Sequence, residues 1–285
     1  MRHSPNTSSR FVSLLPRISS DTIREMFCRP AFPLLLSAFW LLTPAKTEAE
    51  LIEHAGASFV VYRVDSKSEK VELHLAEKPG EPNTFPKLEA RLQQQGRRLK
   101  FAMNSGIFEG TFLPTGLHVA GGKVITPLNL DEFEKTSDSL VTPNFFLKPN
   151  GVFFIRRDGS SAIIESHRYT ALNESPLLAT QSGPLLVEEG RIHPALSRDS
   201  PNVRFRNGVG VTTDGEIIFA CSLIESETGR CNLYRFAELF REKLDCPNAL
   251  YLDGEISYVF IRDLTGPIVE TNFFAGILAI TEPAP

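Results

Sequence analysis

Two carboxylates, Asp253 and Glu255, stand two residues apart where the apolar run 249–252 meets Gly254. Alternate side chains of extended backbone share a face, so both acids would point the same way. Paired carboxylates at the mouth of a buried strand are what glycosidic-bond hydrolysis uses. Asp-Gly between two strand-like runs, the second over residues 256–261, is equally the signature of a hairpin turn. A second chemical feature is Arg204, which alternates with Phe205 and Arg206. Two guanidiniums leaving a strand on one face repel each other unless an anion or an acid partner sits between them. A phosphate is a natural occupant, because the planar fork grips it bidentately. Surface salt bridges are the competing explanation.

Polar residues also occur at strand-like ends. Asn104 closes the apolar run that starts at Leu99 and is followed by Ser105-Gly106, a place that suits either a local backbone bond or a ligand contact. Gln181-Ser182-Gly183-Pro184 forces a polar corner between two apolar runs, and such groups need backbone or ligand partners. Ser182 lacks the G-x-S-x-G context of a nucleophile elbow. His118 lies in a strand-like run, where a structural or exposed role competes with a catalytic one.

The elements that would position these groups are mostly strands. Residues 57–64 and 70–76 read as an antiparallel pair joined through a polar link. Residues 85–95 carry apolar side chains at helical spacing, with Gly96 as the stop. A hairpin is expected over 115–125, turning at Gly121-Gly122, and another over 144–155, turning at Pro149-Asn150-Gly151. Residues 131–138 are charged and suit a lid or surface loop. Asn207-Gly208 reads as a turn signal before a strand over 209–213. Another strand covers 216–221, Asn232 offers an N-cap for a helix to Leu244, and the last strand covers 276–280. The expected fold is α+β: one domain, residues 55–285, of mixed, mainly antiparallel sheet with a few helices.

The chain has 285 residues, 42% of them hydrophobic and 22% charged, and a net charge of −4. That balance does not favour nucleic acid as a partner. Residues 1–49 differ from the rest. Arg29, the apolar run 31–42 and the small residues Ala45 and Ala49 form the pattern of an export signal, for which Met26 is a better start than Met1. The run of twelve is short for a membrane span, so contact with a membrane is expected only through that signal. Residues 1–49 are therefore set apart as a signal region, with a periplasmic or secreted protein as the expectation. Cys28 would leave with the signal. Cys221 and Cys231 flank a polar loop and are the expected disulfide pair, with Cys246 a buried thiol. No C-x-x-C or His-rich spacing supports a zinc site, so no metal and no cofactor is expected.

Five motifs in order resemble the phosphodiester glycosidase family. An Asn-x-Gly-x-aromatic segment is similar to Asn104, Gly106 and Phe108. A glycine-containing hairpin matches residues 116–123, and Gln-Ser-Gly-Pro matches Gln181, Ser182, Gly183 and Pro184. An Arg-x-x-x-Gly strand is similar to Arg206 and Gly210, and a Leu-Asp-Gly segment to residues 252–257. Glu255 replaces the family's usual Gly, Asn207 its Thr or Ser, and Ser105 its Gly or Ala, as in a divergent bacterial branch. The resemblance implies hydrolysis of a sugar-1-phosphodiester at the sugar carbon, with a carbohydrate phosphodiester or envelope glycan as the partner. It implies Asp253 as the essential carboxylate with Glu255 secondary, and Arg206 as the phosphate clamp with Arg204 as helper. Asn104, Gly106, Gln181, Ser182 and Gly183 would contact substrate. A non-catalytic module binding glycans or phosphopolymers would keep Arg206 and the polar corner without depending on Asp253. A metal-assisted attack at phosphorus would need clustered acids and histidines, and only scattered ones are visible.

Export has a direct optical consequence. Trp40 is the only tryptophan, so cleavage near Ala45 or Ala49 removes it. Purified exported protein should show tyrosine-type emission alone. Tryptophan emission, or an intact mass that includes residues 26–45, would refute cleavage.

Overall fold

The computed structural model describes residues 48–108, 110–136, 141–224, 226–269 and 272–285. The expected export signal, with Met26, Cys28 and Trp40, lies outside them, as does Asp138 at the end of the expected lid. The described residues belong to one unit, Lys46–Pro285.

Three sheets organise this unit, with strands numbered along the chain. The largest runs β1 (Ala49–His54), β2 (Ala57–Arg63), β13 (Ile217–Ser222), β12 (Asn207–Val211), β14 (Asn248–Asp253), β10 (Leu185–Glu188) and β11 (Arg191–Ile192). The second runs β15 (Val259–Ile261), β4 (Arg97–Asn104), β16 (Gly276–Pro283) and β3 (Val71–Leu75). The third runs β6 (Lys123–Thr126), β5 (His118–Ala120), β9 (Leu178–Ser182), β7 (Gly151–Ile155) and β8 (Ser161–Glu165). Every pairing among these strands is antiparallel, so the fold is mainly antiparallel β rather than mixed. β1 also extends the domain ahead of residue 55.

Side chains from all three sheets meet in one core, among them Val60, Phe101, Phe153, Val209, Phe219, Leu250 and Leu278. The far face of the seven-stranded sheet packs Phe59, Ile218 and Tyr251 under helix α3 (Leu233–Glu238) and the π-helical turn Leu239–Lys243. Asn232 caps this helix, its side chain accepting from the Arg235 N–H at 2.9 Å. Helix α1 (Phe85–Gln93) turns Phe85, Leu88 and Leu92 onto the four-stranded sheet, and Thr84 caps it. Short helix α2 (Ser166–Thr170) puts Tyr169 against the five-stranded sheet.

Where the sequence suggests hairpins, the chain often changes sheets instead. β2 and β3 belong to different sheets. The link between them is a fixed corner: Glu69 accepts from the Tyr62 hydroxyl at 2.5 Å and from the Asp65 N–H at 2.8 Å. Lys100 Nζ from β4 lies 2.8 Å from the same carboxylate. Residues 144–146 form a 3-10 turn, and β7 pairs with β8 and β9 rather than with them. Asn207-Gly208 is not a turn but the start of β12, paired with Cys221 and Ala220. The Asp253-Gly254 hairpin is also absent: β14 pairs with β10 and β12, whereas β15 pairs with β4.

The expected Cys221–Cys231 disulfide does not form, and Cys221, Cys231 and Cys246 are buried free thiols. Strand alternation is the reason. Cys221 faces the shared core, while Cys231 packs in the opposite layer with α3. Burial pushes the Cys231 and Cys246 thiols up to about 12 and raises Cys221 as well. Thiolate is the reactive form, so all three should be inert in the folded protein. Iodoacetamide at pH 8 should add nothing at these positions to native protein and three groups under denaturant. Rapid native labelling of any of the three would contradict their burial.

Candidate active site

The candidate site gathers at the end of β12 and β14. Asn207 opens β12, and its side chain reaches across to the four-stranded sheet. Its Nδ2 donates to the Asn104 carbonyl and to Asn104 Oδ1, both at 2.9 Å. Its Oδ1 accepts from the Asp253 N–H at 2.8 Å and from the Ser257 hydroxyl at 3.4 Å. Asn104 Oδ1 also accepts from the Tyr258 N–H at 3.0 Å, while Asn104 Nδ2 has no acceptor among the described residues. One buried amide thus ties β4, β12 and the end of β14 together.

Ser182, fully buried at the end of β9, accepts from the Ile107 N–H at 3.2 Å and donates to the Leu252 carbonyl at 2.8 Å. It fixes the backbone one residue before Asp253, a positioning task rather than the expected substrate contact. Gln181 is engaged at both ends of its amide. Its Oε1 accepts from the Leu117 and Asn129 N–H groups at 3.0 and 2.9 Å. Its Nε2 donates to the Asn129 carbonyl and the Ser166 hydroxyl at 2.6 and 3.1 Å. Gln181 therefore holds the 115–131 segment in place. Gly106 lies against the Gln181 backbone, and Gly183 against Asn150 and the Phe145 carbonyl, so both serve packing behind the site. His118 is fully buried, and burial lowers it to about 4, which keeps it neutral.

Tyr251 on β14 reaches Arg206, which precedes β12, while a register shift at Asn207-Gly208 separates Tyr251 from Asp253 along the pairing. Arg206 is only 1% exposed, and its guanidinium meets neutral oxygens alone. Nε donates to the Cys231 carbonyl at 3.2 Å, one terminal nitrogen to the Tyr251 hydroxyl and the other to the Asn202 carbonyl, each at 3.0 Å. No carboxylate pairs with it among the described residues. The sequence suggests an open clamp, but the structure makes Arg206 a buried fixed charge. Gly254 covers this spot: a Cβ there would stand 2.6 Å from the Tyr251 hydroxyl and 3.9 Å from the guanidinium. Asn207, Tyr251 and Ser257 are site members that the motif reading passed over. The signals were a strand tyrosine whose hydroxyl needs a partner, and the departure at position 207.

Asp253 keeps a minor share of its surface open, and one carboxylate oxygen accepts from the Gly254 N–H at 2.6 Å. Burial pushes the carboxyl up to about 6, against that hydrogen bond, and a second carboxylate is not the cause. Glu255 has left the strand, because the Ser257 N–H donates to the Gly254 carbonyl at 2.7 Å and closes a turn. It lies half exposed beside Arg230 at 2.5 Å and Arg204 at 3.9 Å. The two acids therefore do not form the same-face pair that extended backbone would give. No three His, Cys, Asp or Glu side chains come together among the described residues in a metal-ligating cluster.

The raised Asp253 carboxyl carries a stability cost with a definite sign. Between pH about 4 and 6 the folded chain holds a proton that the unfolded chain releases, so stability falls as pH rises through that window. Asp253→Asn should stabilise the protein at pH 7.5 by on the order of 2 kcal/mol, and the gain should vanish below pH about 4. Chemical denaturation at both pH values reads this out. A variant no more stable than the parent at pH 7.5 would show that the carboxyl is not desolvated.

Comparison with known proteins agrees with this architecture. A family model described as phosphodiester glycosidase matches residues 97–271. The uncharacterized protein YigE of Escherichia coli K12 is 33% identical over 202 residues, covering 70% of this chain and 73% of that protein. Among solved structures, the pro-peptide-inhibited catalytic domain of zebrafish N-acetylglucosamine-1-phosphodiester alpha-N-acetylglucosaminidase is similar, with a TM-score of 0.54, 16% identity and 81% of each chain covered. A hypothetical protein from Synechocystis gives a TM-score of 0.52 at 14% identity, covering 82% of this chain and 61% of that one. At such identities these structures speak for the fold. The family model spans more than half of the sequence and YigE adds a relative across most of it, so the chain belongs to the phosphodiester glycosidase family.

Proposed function

We propose that this protein is an exported hydrolase that cleaves a sugar-1-phosphodiester at the glycosidic carbon. The observation that carries this reading is that a desolvated carboxyl, Asp253, and a buried guanidinium, Arg206, both border Gly254 without an ion-pair partner among the described residues. The Asp253 carboxyl is raised by burial, and the Arg206 guanidinium is buried without an acid partner. Strongly perturbed groups concentrate at functional sites because chemistry needs them there.

In the reaction, the bond between the anomeric carbon and the bridging oxygen breaks, and that oxygen leaves with the phosphate. Water supplies the hydroxyl of the free sugar, and its remaining proton is taken up by the carboxylate or the departing phosphate. Positive charge grows on the sugar ring in the transition state, and a carboxylate stabilises it directly or as a nucleophile or base. Negative charge grows on the leaving phosphate, whose monoester has a second pKa of about 6 and leaves readily. Arg206 supplies a fixed positive field for that charge, with no reorganisation at the moment of bond breaking. Tyr251 holds the guanidinium in place, and Asn207 and Ser182 hold the backbone on either side of Leu252 and Asp253.

A periplasmic or secreted location follows from the export pattern. Cleavage after Ala45 suits the fold better than cleavage after Ala49. The Glu48 carbonyl accepts from the Arg63 N–H at 2.7 Å, and the Glu48 carboxylate meets Lys100 at 2.6 Å. Both contacts would be lost with the later cut.

A synthetic sugar-1-phosphodiester tests the reaction. Free sugar and phosphomonoester are expected, and kcat/KM should rise through pH about 6 and level off above it as Asp253 ionises. Asp253→Asn should lose at least ~10² in rate while remaining folded. Sugar 1-phosphate among the products would move the attack to phosphorus. Full activity in Asp253→Asn would remove the carboxylate from the mechanism. Retained binding without turnover would leave a recognition module.

A further inference from the structure

Three arginines converge on the Gly254–Glu255 turn, and only one of them is buried. Arg204 and Cys231 form an antiparallel bridge, so Arg230 lies beside Arg204 on the neighbouring segment. Both guanidiniums are substantially exposed, and the Glu255 carboxylate lies between them, one oxygen 2.5 Å from Arg230 and the other 3.9 Å from Arg204. Arg230 also stacks over the Phe205 ring, 4.2 Å from its centroid. Arg206 stands behind, with every guanidinium nitrogen committed to a protein oxygen.

We propose that Arg230 and Arg204 form a phosphate seat that Glu255 fills in the resting protein, and that a phosphate takes the seat by displacing this carboxylate. The inference rests on the phosphodiester reading for its role in turnover, though not for the existence of the seat. Four observations support it. A carboxylate oxygen pair is the side-chain group that best mimics two phosphate oxygens facing guanidinium donors. The ion pair is half exposed, and exposed pairs are weak, so an incoming anion can exchange with it. Phe205 gives Arg230 a second partner, so the guanidinium keeps its place when Glu255 swings away. The unneutralised Arg206 charge nearby adds to the attraction for an anion.

Glu255 follows Asp253 by two residues, across the turn that Ser257 closes onto Gly254. A phosphomonoester product bears more negative charge than the diester and would bind such a seat more tightly. Glu255 competes with both, and it competes usefully with the product, whose departure it speeds. Glu255 then acts as a built-in counter-anion that limits product trapping. Arg230 was not among the residues suggested by the motifs, and Glu255 changes from a secondary catalytic acid to a competitor for the phosphate.

Titration calorimetry with inorganic phosphate, and separately with glycerol phosphate, tests the seat without any turnover. Glu255→Gln should tighten phosphate binding at least ~3-fold. Arg230→Gln should weaken it at least ~10-fold in the parent and remove most of the gain in the Glu255→Gln background. Arg230→Lys should fall between, since it keeps the charge and loses the fork. Thermal melts confirm that each surface variant is folded, and Glu255→Gln read alone suffices if an arginine variant is not. Unchanged or weaker phosphate binding in Glu255→Gln would overturn the proposal, as would unchanged binding in folded Arg230→Gln. A failure to release sugar from any phosphodiester would defeat the reaction proposed above while leaving these binding results standing.

Discussion

The site depends on the buried amide of Asn207. A buried amide that leaves its own groups or its neighbours unpaired costs on the order of 1–3 kcal/mol per group. Asn207 avoids this by serving both sheets at once, donating to Asn104 on β4 and accepting from the Asp253 N–H and Ser257 on the other side. The position of Asp253 is therefore not a property of β14 alone. It is set by the distance across which one amide can satisfy a strand of each sheet. A Thr or Ser at this position would offer a shorter side chain with a single polar oxygen, so it could not span the gap with the same set of bonds.

A second constraint acts on the charges. Taking a guanidinium and a carboxyl out of water is costly, and an ion pair is the common remedy. Here Arg206 takes three neutral acceptors instead, and Asp253 takes one backbone N–H. Tyr251 lies two residues before Asp253 on β14 and reaches Arg206 with its hydroxyl. Its hydroxyl accepts from Arg206, and burial and the Asp253 charge raise its pKa while Arg206 opposes the rise. Both groups thus stay without an ion-pair partner among the described residues. The stability lost by that arrangement is recovered elsewhere, in a core fed by all three sheets.

The candidate site also falls where the chain crosses between sheets. Ser182 to Pro184 carries it from the five-stranded to the seven-stranded sheet, and Asp253 to Ser257 carries it from the seven-stranded to the four-stranded one. Strand ends at such crossings have backbone groups that no ladder partner satisfies. Small polar side chains do that work here: Ser182 bonds to the Ile107 N–H and the Leu252 carbonyl, and Ser257 bonds to the Gly254 carbonyl. This explains why motif residues that suggest ligand contacts, Gln181 above all, turn out to be engaged in holding backbone.

The sequence by itself determined most of the strands, the helices that begin at residues 85 and 233, and the family, because alternation, helical periodicity, an N-cap at Asn232 and ordered motifs are local signals. It also singled out Asp253 and Arg206 as candidates, since a charged residue at the end of an apolar strand is visible without coordinates. It could not determine which strands pair. Asp253-Gly254 and the 65–69 link look like hairpin turns because a turn's local chemistry is the same whether the next strand pairs back or enters another sheet. Burial was equally hidden, so Arg204 and Arg206 looked alike although one is exposed and the other enclosed. The Cys221–Cys231 pairing failed for the same reason, since proximity in sequence does not show that a sheet lies between two side chains. Only the tertiary structure decided these points, because pairing partner, sheet face and desolvation are set by residues far apart in the chain.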